Sequence, residues 1–122
     1  MAKLESNFWQ EVKKKTQQFQ WVRLESWAGQ GVPDLLGTTK EGKFFTVELK
    51  VTKRNKLVFS PHQIAFHVKH PCHSFILAKA LVTGCLKLYT GDRIQELVDS
   101  GLLLDASATG LDACRLLLED LA

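Results

Sequence analysis

Asp34, Glu48 and Lys50 are the residues of this 122-residue chain whose types and spacing most invite chemistry. Pro33-Asp34 opens a short apolar run, Leu35-Leu36, that ends at Gly37. The polar stretch Thr38 to Lys43 contains Gly42 and reads as a turn. Phe44 to Val51 is rich in aromatic and β-branched residues and reads as a strand. The pattern predicts a β-hairpin closing near Thr39 to Gly42, with Asp34 across from the region of Glu48. Side chains alternate along a strand, so Glu48 and Lys50 point one way and Leu49 the other. An acid and an ammonium on so apolar a strand are costly to bury without partners. Two carboxylates converging on one point suit a hard divalent cation such as Mg²⁺. Such an ion can polarise a phosphoryl oxygen and acidify a bound water. Lys50 beside it could stabilise developing charge or help to orient and deprotonate that water. A surface hairpin carrying an incidental salt bridge is the plainer alternative.

Pro33-Asp34 followed by Glu48-Leu49-Lys50, with the acids 14 positions apart, resembles the PD-(D/E)XK nuclease superfamily. The contexts GVPDLLG and KLVFSPHQIAFH look most like its virus-type replication-repair nuclease branch, with archaeal Holliday-junction resolvases as cousins. The resemblance runs from about Glu5 to about Lys79. It implies an α/β fold with a restriction-endonuclease-like core, a central mixed sheet flanked by helices in the order αβββαβ. It also implies hydrolysis of DNA phosphodiesters leaving a 5′-phosphate. Asp34, Glu48 and the Leu49 backbone carbonyl would hold Mg²⁺, with Mn²⁺ as substitute. A glutamate on the first helix would complete the metal site, Glu5 being the choice and Glu11 the runner-up. Gln63 would face the site and orient water or a phosphate oxygen. Arg23 resembles the arginine that cousin resolvases carry ahead of the PD motif, where it would contact the scissile phosphate; an edge-strand salt bridge is its alternative.

These residues need elements to hold them. Leu4 to Phe19 reads as an amphipathic helix, because Leu4, Phe8, Val12 and Phe19 fall within roughly 80° of arc at 100° per residue. Glu5 and Glu11 lie at the two edges of that stripe, and the Lys13-Lys14-Lys15 run covers the rest of the helix. Trp21 to Trp27 alternates and reads as the first strand, leading through Gly29 and Gly31 into the site. Beyond Lys50, the residues Lys53, Arg54 and Lys56 concentrate positive charge and predict a loop that grips phosphate. Ser60-Pro61 starts a helix, with Ser as N-cap and Pro at the first helical position, continuing to about His70. His62, His67, His70, Cys72 and His73 crowd together, but their spacing fits no standard closed zinc site. Ser74 to Leu81 and Cys85 to Tyr89 read as strands. Short helices follow over Arg93 to Asp99 and about Leu111 to Leu121, around the Leu-rich Leu102 to Leu104.

The length suits a single nuclease domain over 1–122, with 91–122 as a C-terminal helical extension whose apolar surplus reads as core, a homodimer face being the alternative. A 45% hydrophobic and 24% charged composition is that of an ordinary soluble domain, and no apolar run approaches the ~20 residues needed to span a bilayer. The start lacks the apolar core of a signal peptide. Three cysteines, Cys72, Cys85 and Cys114, form no CxxC and favour a reducing compartment. The expected setting is therefore cytoplasmic, in a bacterial or phage-infected cell. A net charge of +3 permits DNA as partner without requiring it. A catalytically weak nucleic-acid-binding subunit of a replication, repair or packaging complex is the rival class. Within the nuclease class, a junction resolvase, a nicking enzyme and a homing or restriction-like endonuclease all fit these residues.

Overall fold

The hairpin that carries the acids forms because its turn is locally closed. In the computed structural model, which describes residues 3–24 and 29–121, the Thr39 amide donates to Lys43 O at 2.9 Å and the Gly42 amide to Thr39 O at 3.0 Å. Gly42 has φ 84°, a conformation that a side chain would strain. Strand β2 (Leu35–Thr38) and strand β3 (Phe44–Thr52) leave this turn antiparallel, with Leu35 opposite Val47 and Leu36 opposite Thr46. Gly37 is required by packing, since a Cβ there would come within 2.4 Å of the Phe45 ring.

Strand β1 (Gln20–Arg23) pairs antiparallel with β2. Helix α2 (Pro61–Lys69) crosses from β3 to β4 (Ser74–Ala80), which runs parallel to β3. Strands β5 (Leu86–Thr90) and β6 (Ala108–Thr109) then add antiparallel, giving one six-stranded sheet in the order β1-β2-β3-β4-β5-β6. The architecture is the expected mixed α/β sheet flanked by helices.

Alternation along β3 divides the molecule. Phe45, Val47 and Leu49 face helix α1 (Lys3–Lys15), where Phe8, Trp9 and Val12 are buried, and helix α4 (Leu111–Glu119), which contributes Cys114 and Leu118. On the other face Ile76, Ala78, Ala80 and Tyr89 join Ile94 and Leu97 of helix α3 (Ile94–Ser100), with Leu57 and Leu102. Thr46, Glu48 and Lys50 point to this second side, where α2 covers them.

Three expectations need correction. The first helix ends at Lys15, not Phe19: the Thr16 hydroxyl donates to Val12 O at 2.6 Å, a side-chain bond that competes with a further helical turn. Phe19 still reaches the core, delivered by the following turn, and meets Phe45 edge-on with ring centroids 5.4 Å apart. The first strand is four residues ending at Arg23, while residues 25–28 of the expected span to Trp27 lie outside the described residues. The segment from 91 onward carries a strand besides its expected helices. It supplies β6, and its side chains fill both cores. Among the described residues no helix is long and apolar enough to cross a membrane.

Candidate active site

The antiparallel register sets Asp34 across from Glu48, one same-face rung before the Leu36–Thr46 pair. Asp34 sits just ahead of β2, with its carbonyl accepting from the Leu24 amide at 2.8 Å. Its Oδ2 accepts from the Leu49 amide at 2.9 Å, which fixes the carboxylate against the middle of β3. Glu48 is 3% exposed. Its Oε2 accepts from Gln63 Nε2 at 3.3 Å, while Oε1 is buried and has no hydrogen-bond partner among the described residues.

That environment opposes charge on Glu48. Burial pushes its carboxyl up to about 9; the neighbouring Asp34 carboxylate pushes the same way, Lys50 opposes, and Glu5 adds a little. Glu48 is thus a buried acid close to a second carboxylate, with Lys50 opposing the shift and one oxygen left unpartnered among the described residues.

Gln63 links the parts. Its N-terminal helix position follows from the Ser60 cap: the Gln63 amide donates to Ser60 Oγ at 3.2 Å, and the Ser60 amide returns to Gln63 Oε1 at 2.9 Å. The same Oε1 accepts from Lys50 Nζ at 3.0 Å, leaving Nε2 for Glu48. The Lys50 ammonium also lies 4.8 Å from the centre of the Phe59 ring, a cation–π contact that holds it over an apolar surface.

The structure thus brings together Asp34, Glu48, Lys50, Gln63 and the Leu49 backbone. Glu11 and Arg23 are not gathered around them. Glu5 acts on Glu48 only through its charge, and among the described residues no three His, Cys, Asp or Glu side chains form a metal-sized cluster, at the acids or among the histidines. Glu11 is occupied elsewhere by Lys79 Nζ at 2.7 Å. Arg23 ends the edge strand opposite Leu35. Cross-strand partners share a face, so it points to the α1 side, away from Glu48 and Lys50. Lys53, Arg54 and Lys56 are exposed on the loop after β3, whose backbone is pinned by the Val82 amide to Lys53 O at 3.0 Å and the Leu102 amide to Asn55 O at 2.8 Å.

Two participants were not anticipated. Phe59 under Lys50 had no periodic signal to mark it. His67, one helical turn after Gln63, is fully buried; its Nδ1 meets Ser74 Oγ at 2.7 Å, and its Nε2 has no partner among the described residues. Burial, aided by the Lys50 charge, pushes it down to about 4. The i, i+4 spacing from Gln63 to His67 was the available signal.

No protein-family model matches the chain, and no curated protein does. Among solved structures it is similar to Hjc of Archaeoglobus fulgidus, a Holliday junction resolvase from an archaeal hyperthermophile, at 15% identity and a TM-score of 0.54 over 72% of this chain and 73% of that one. The likeness is one of fold, the restriction-endonuclease-like α/β architecture.

Proposed function

We propose that the chain is a metal-dependent deoxyribonuclease. The observation that carries the reading is the convergence of Asp34 and Glu48 at one rung of the hairpin, with Lys50 and Gln63 beside them. The donor set suits Mg²⁺ or Mn²⁺, hard cations commonly held by one or two carboxylates plus substrate oxygens. The unpartnered Glu48 Oε1 and the raised Glu48 fit such an ion, with the Leu49 carbonyl as the further ligand that the resemblance implies. When bound, the ion supplies Lewis-acid polarisation of the phosphate and a more acidic water.

The chain's own residues divide the remaining work. Asp34 and Glu48 present oxygen ligands, Asp34 being held in place by the Leu49 amide. Lys50 brings an ammonium to the position where negative charge develops on the phosphorane, and Phe59 shields one side of it from water. Gln63 orients Lys50 now and can hold the attacking water once substrate is present. The water oxygen bonds to phosphorus as the bond to the 3′ oxygen breaks, leaving a 5′-phosphate and a 3′-hydroxyl.

Fold likeness to a structure described as a Holliday junction resolvase makes branched DNA the first substrate to try. Purified protein should be incubated with duplex, nicked, flapped, single-stranded and four-way DNA, with Mg²⁺ or EDTA. Mg²⁺-dependent cleavage of at least one of them, abolished by Asp34→Asn, is expected. Binding without any cleavage would instead make the chain a nucleic-acid-binding subunit.

A further inference from the structure

The sheet face that carries the two acids continues past them into a cavity of about 270 Å³ between α2 and the β2–β3 hairpin. Its floor is the next rung, Leu36 and Thr46, and its walls include Phe44, Phe66, His70 and His73. Resting on the nuclease reading above, we infer that this cavity receives a single unpaired nucleobase of the DNA strand whose phosphate lies at Asp34 and Glu48.

Four features point to a flat ring that also makes a hydrogen bond. Phe44 is 61% exposed, an aromatic side chain that packs on nothing sufficient to hide it. Phe66 stands on the opposite, helical wall, with the His70 ring 4.7 Å away and tilted by 39°. Aromatic surfaces of this kind accept any base, because every base has a π-face. Thr46 Oγ1, on the floor, is buried with no hydrogen-bond partner among the described residues. A hydroxyl both donates and accepts, so once turned from its buried position toward the cavity it can serve the edge of any base. Finally, His73 has φ 54°, and it is the one non-glycine position among the described residues in the left-handed region. Such strain persists where surrounding structure imposes it. Here the His73 carbonyl accepts from the Thr46 amide at 2.9 Å, tying the strained residue to the floor.

Position relative to the site identifies the occupant. Thr46 and Glu48 are same-face neighbours on β3, roughly 6.6 Å apart along the strand. A nucleotide adjoining the phosphate at Glu48 can therefore place its base over Thr46. A base still paired in duplex would first have to be unstacked, and an unpaired base at a fork, flap or junction would not. The cavity thus favours DNA with unpaired nucleotides at the cut.

The test is an abasic scan. Labelled forked DNA is titrated in EDTA, so that nothing is cut, with single abasic sites walked along the unpaired arm. Wild type should lose about tenfold in affinity when one particular base is removed, the scale of base–aromatic stacking. Phe44→Ala should weaken the intact fork by a similar factor, and the same abasic site should then cost nothing further. Thr46→Val, which keeps the shape and removes the hydroxyl, should weaken the intact fork several-fold and leave the abasic fork unaffected. Thermal melting confirms that each variant is folded, and either variant alone decides the matter. A wild type indifferent to every abasic site, or penalties that simply add in the variants, would overturn the inference while leaving the nuclease reading standing. A protein that binds no DNA would remove both.

Discussion

Gln63 and Lys50 are joined through one oxygen: Gln63 Oε1 accepts from Lys50 Nζ at 3.0 Å and, at the same time, from the Ser60 amide that opens α2. The helix cap and the position of Lys50 are therefore one structural unit. Gln63→Ala should cost about 1 kcal/mol of stability through the lost cap bond. It should also slow cleavage on the order of 10²-fold by releasing Lys50 and the water position. Denaturant unfolding and single-turnover rates measure the two effects. A stability loss with an unchanged rate would reduce Gln63 to a capping residue.

The acids carry a prediction that does not depend on turnover. Glu48 titrates at about 9 in the fold and at its ordinary value, 4.5, when unfolded. Between these values the native state binds the extra proton, so stability falls as pH rises from about 4.5 to 9. Glu48→Gln removes that dependence and should be more stable than wild type at neutral pH. Mg²⁺ should raise the melting temperature of wild type and leave Glu48→Gln and Asp34→Asn much less affected. Both variants should be inactive in cleavage. Equal Mg²⁺ stabilisation of all three proteins would place the ion elsewhere.

Lys50 separates charge stabilisation from metal holding. Lys50→Ala should lower the cleavage rate by about 10²–10³-fold while keeping the Mg²⁺-induced shift in melting temperature. Loss of that shift would mean that the lysine organises the metal site instead.

His67 gives the fold an acid limit. It titrates near 4 in the native state and at 6.5 when unfolded. The unfolded chain therefore binds the extra proton in between, and stability is lost as pH falls from about 6.5 to 4. The slope contributed is at most about 1.4 kcal/mol per pH unit. His67→Gln should flatten the stability–pH curve in that window, whatever its effect on absolute stability. An unchanged slope would show that other groups set the acid limit.

The hairpin rung that joins Asp34 to Glu48 was legible from local pattern, and its surroundings were not. A glycine turn and a period-two strand are local signals, and together they define the rung on which Asp34 meets Glu48. The Ser60-Pro61 start likewise announces α2 and with it Gln63. Phe19 misled because its spacing from Val12 imitates a helical stripe, while Thr16 diverts the chain before that turn is made. The two-residue strand β6 lies below any periodic signal, and its pairing with Lys87 and Leu88 is set by packing distant in sequence. The commitment of Glu11 to Lys79, 68 positions away, was beyond reach for the same reason.

The exposed cations of the loop after β3 should supply grip without chemistry. The backbone bonds at Lys53 O and Asn55 O hold this loop to the turns at Val82 and Leu102, so Lys53, Arg54 and Lys56 project from a fixed support. A lysine or arginine in contact with phosphate releases condensed counterions, and each contact adds about 0.9 to the slope of log affinity against log salt on duplex DNA. Replacing all three with alanine should flatten that slope by roughly two to three units if all three touch phosphate, and weaken binding on every DNA shape alike. The single-turnover rate at saturating DNA should change far less than in Lys50→Ala, because none of the three belongs to the cluster around Glu48. Titrations across a salt series for wild type and the triple variant measure the difference. An unchanged slope would assign the grip elsewhere, with Lys13, Lys14 and Lys15 at the end of α1 as the next surface to neutralise.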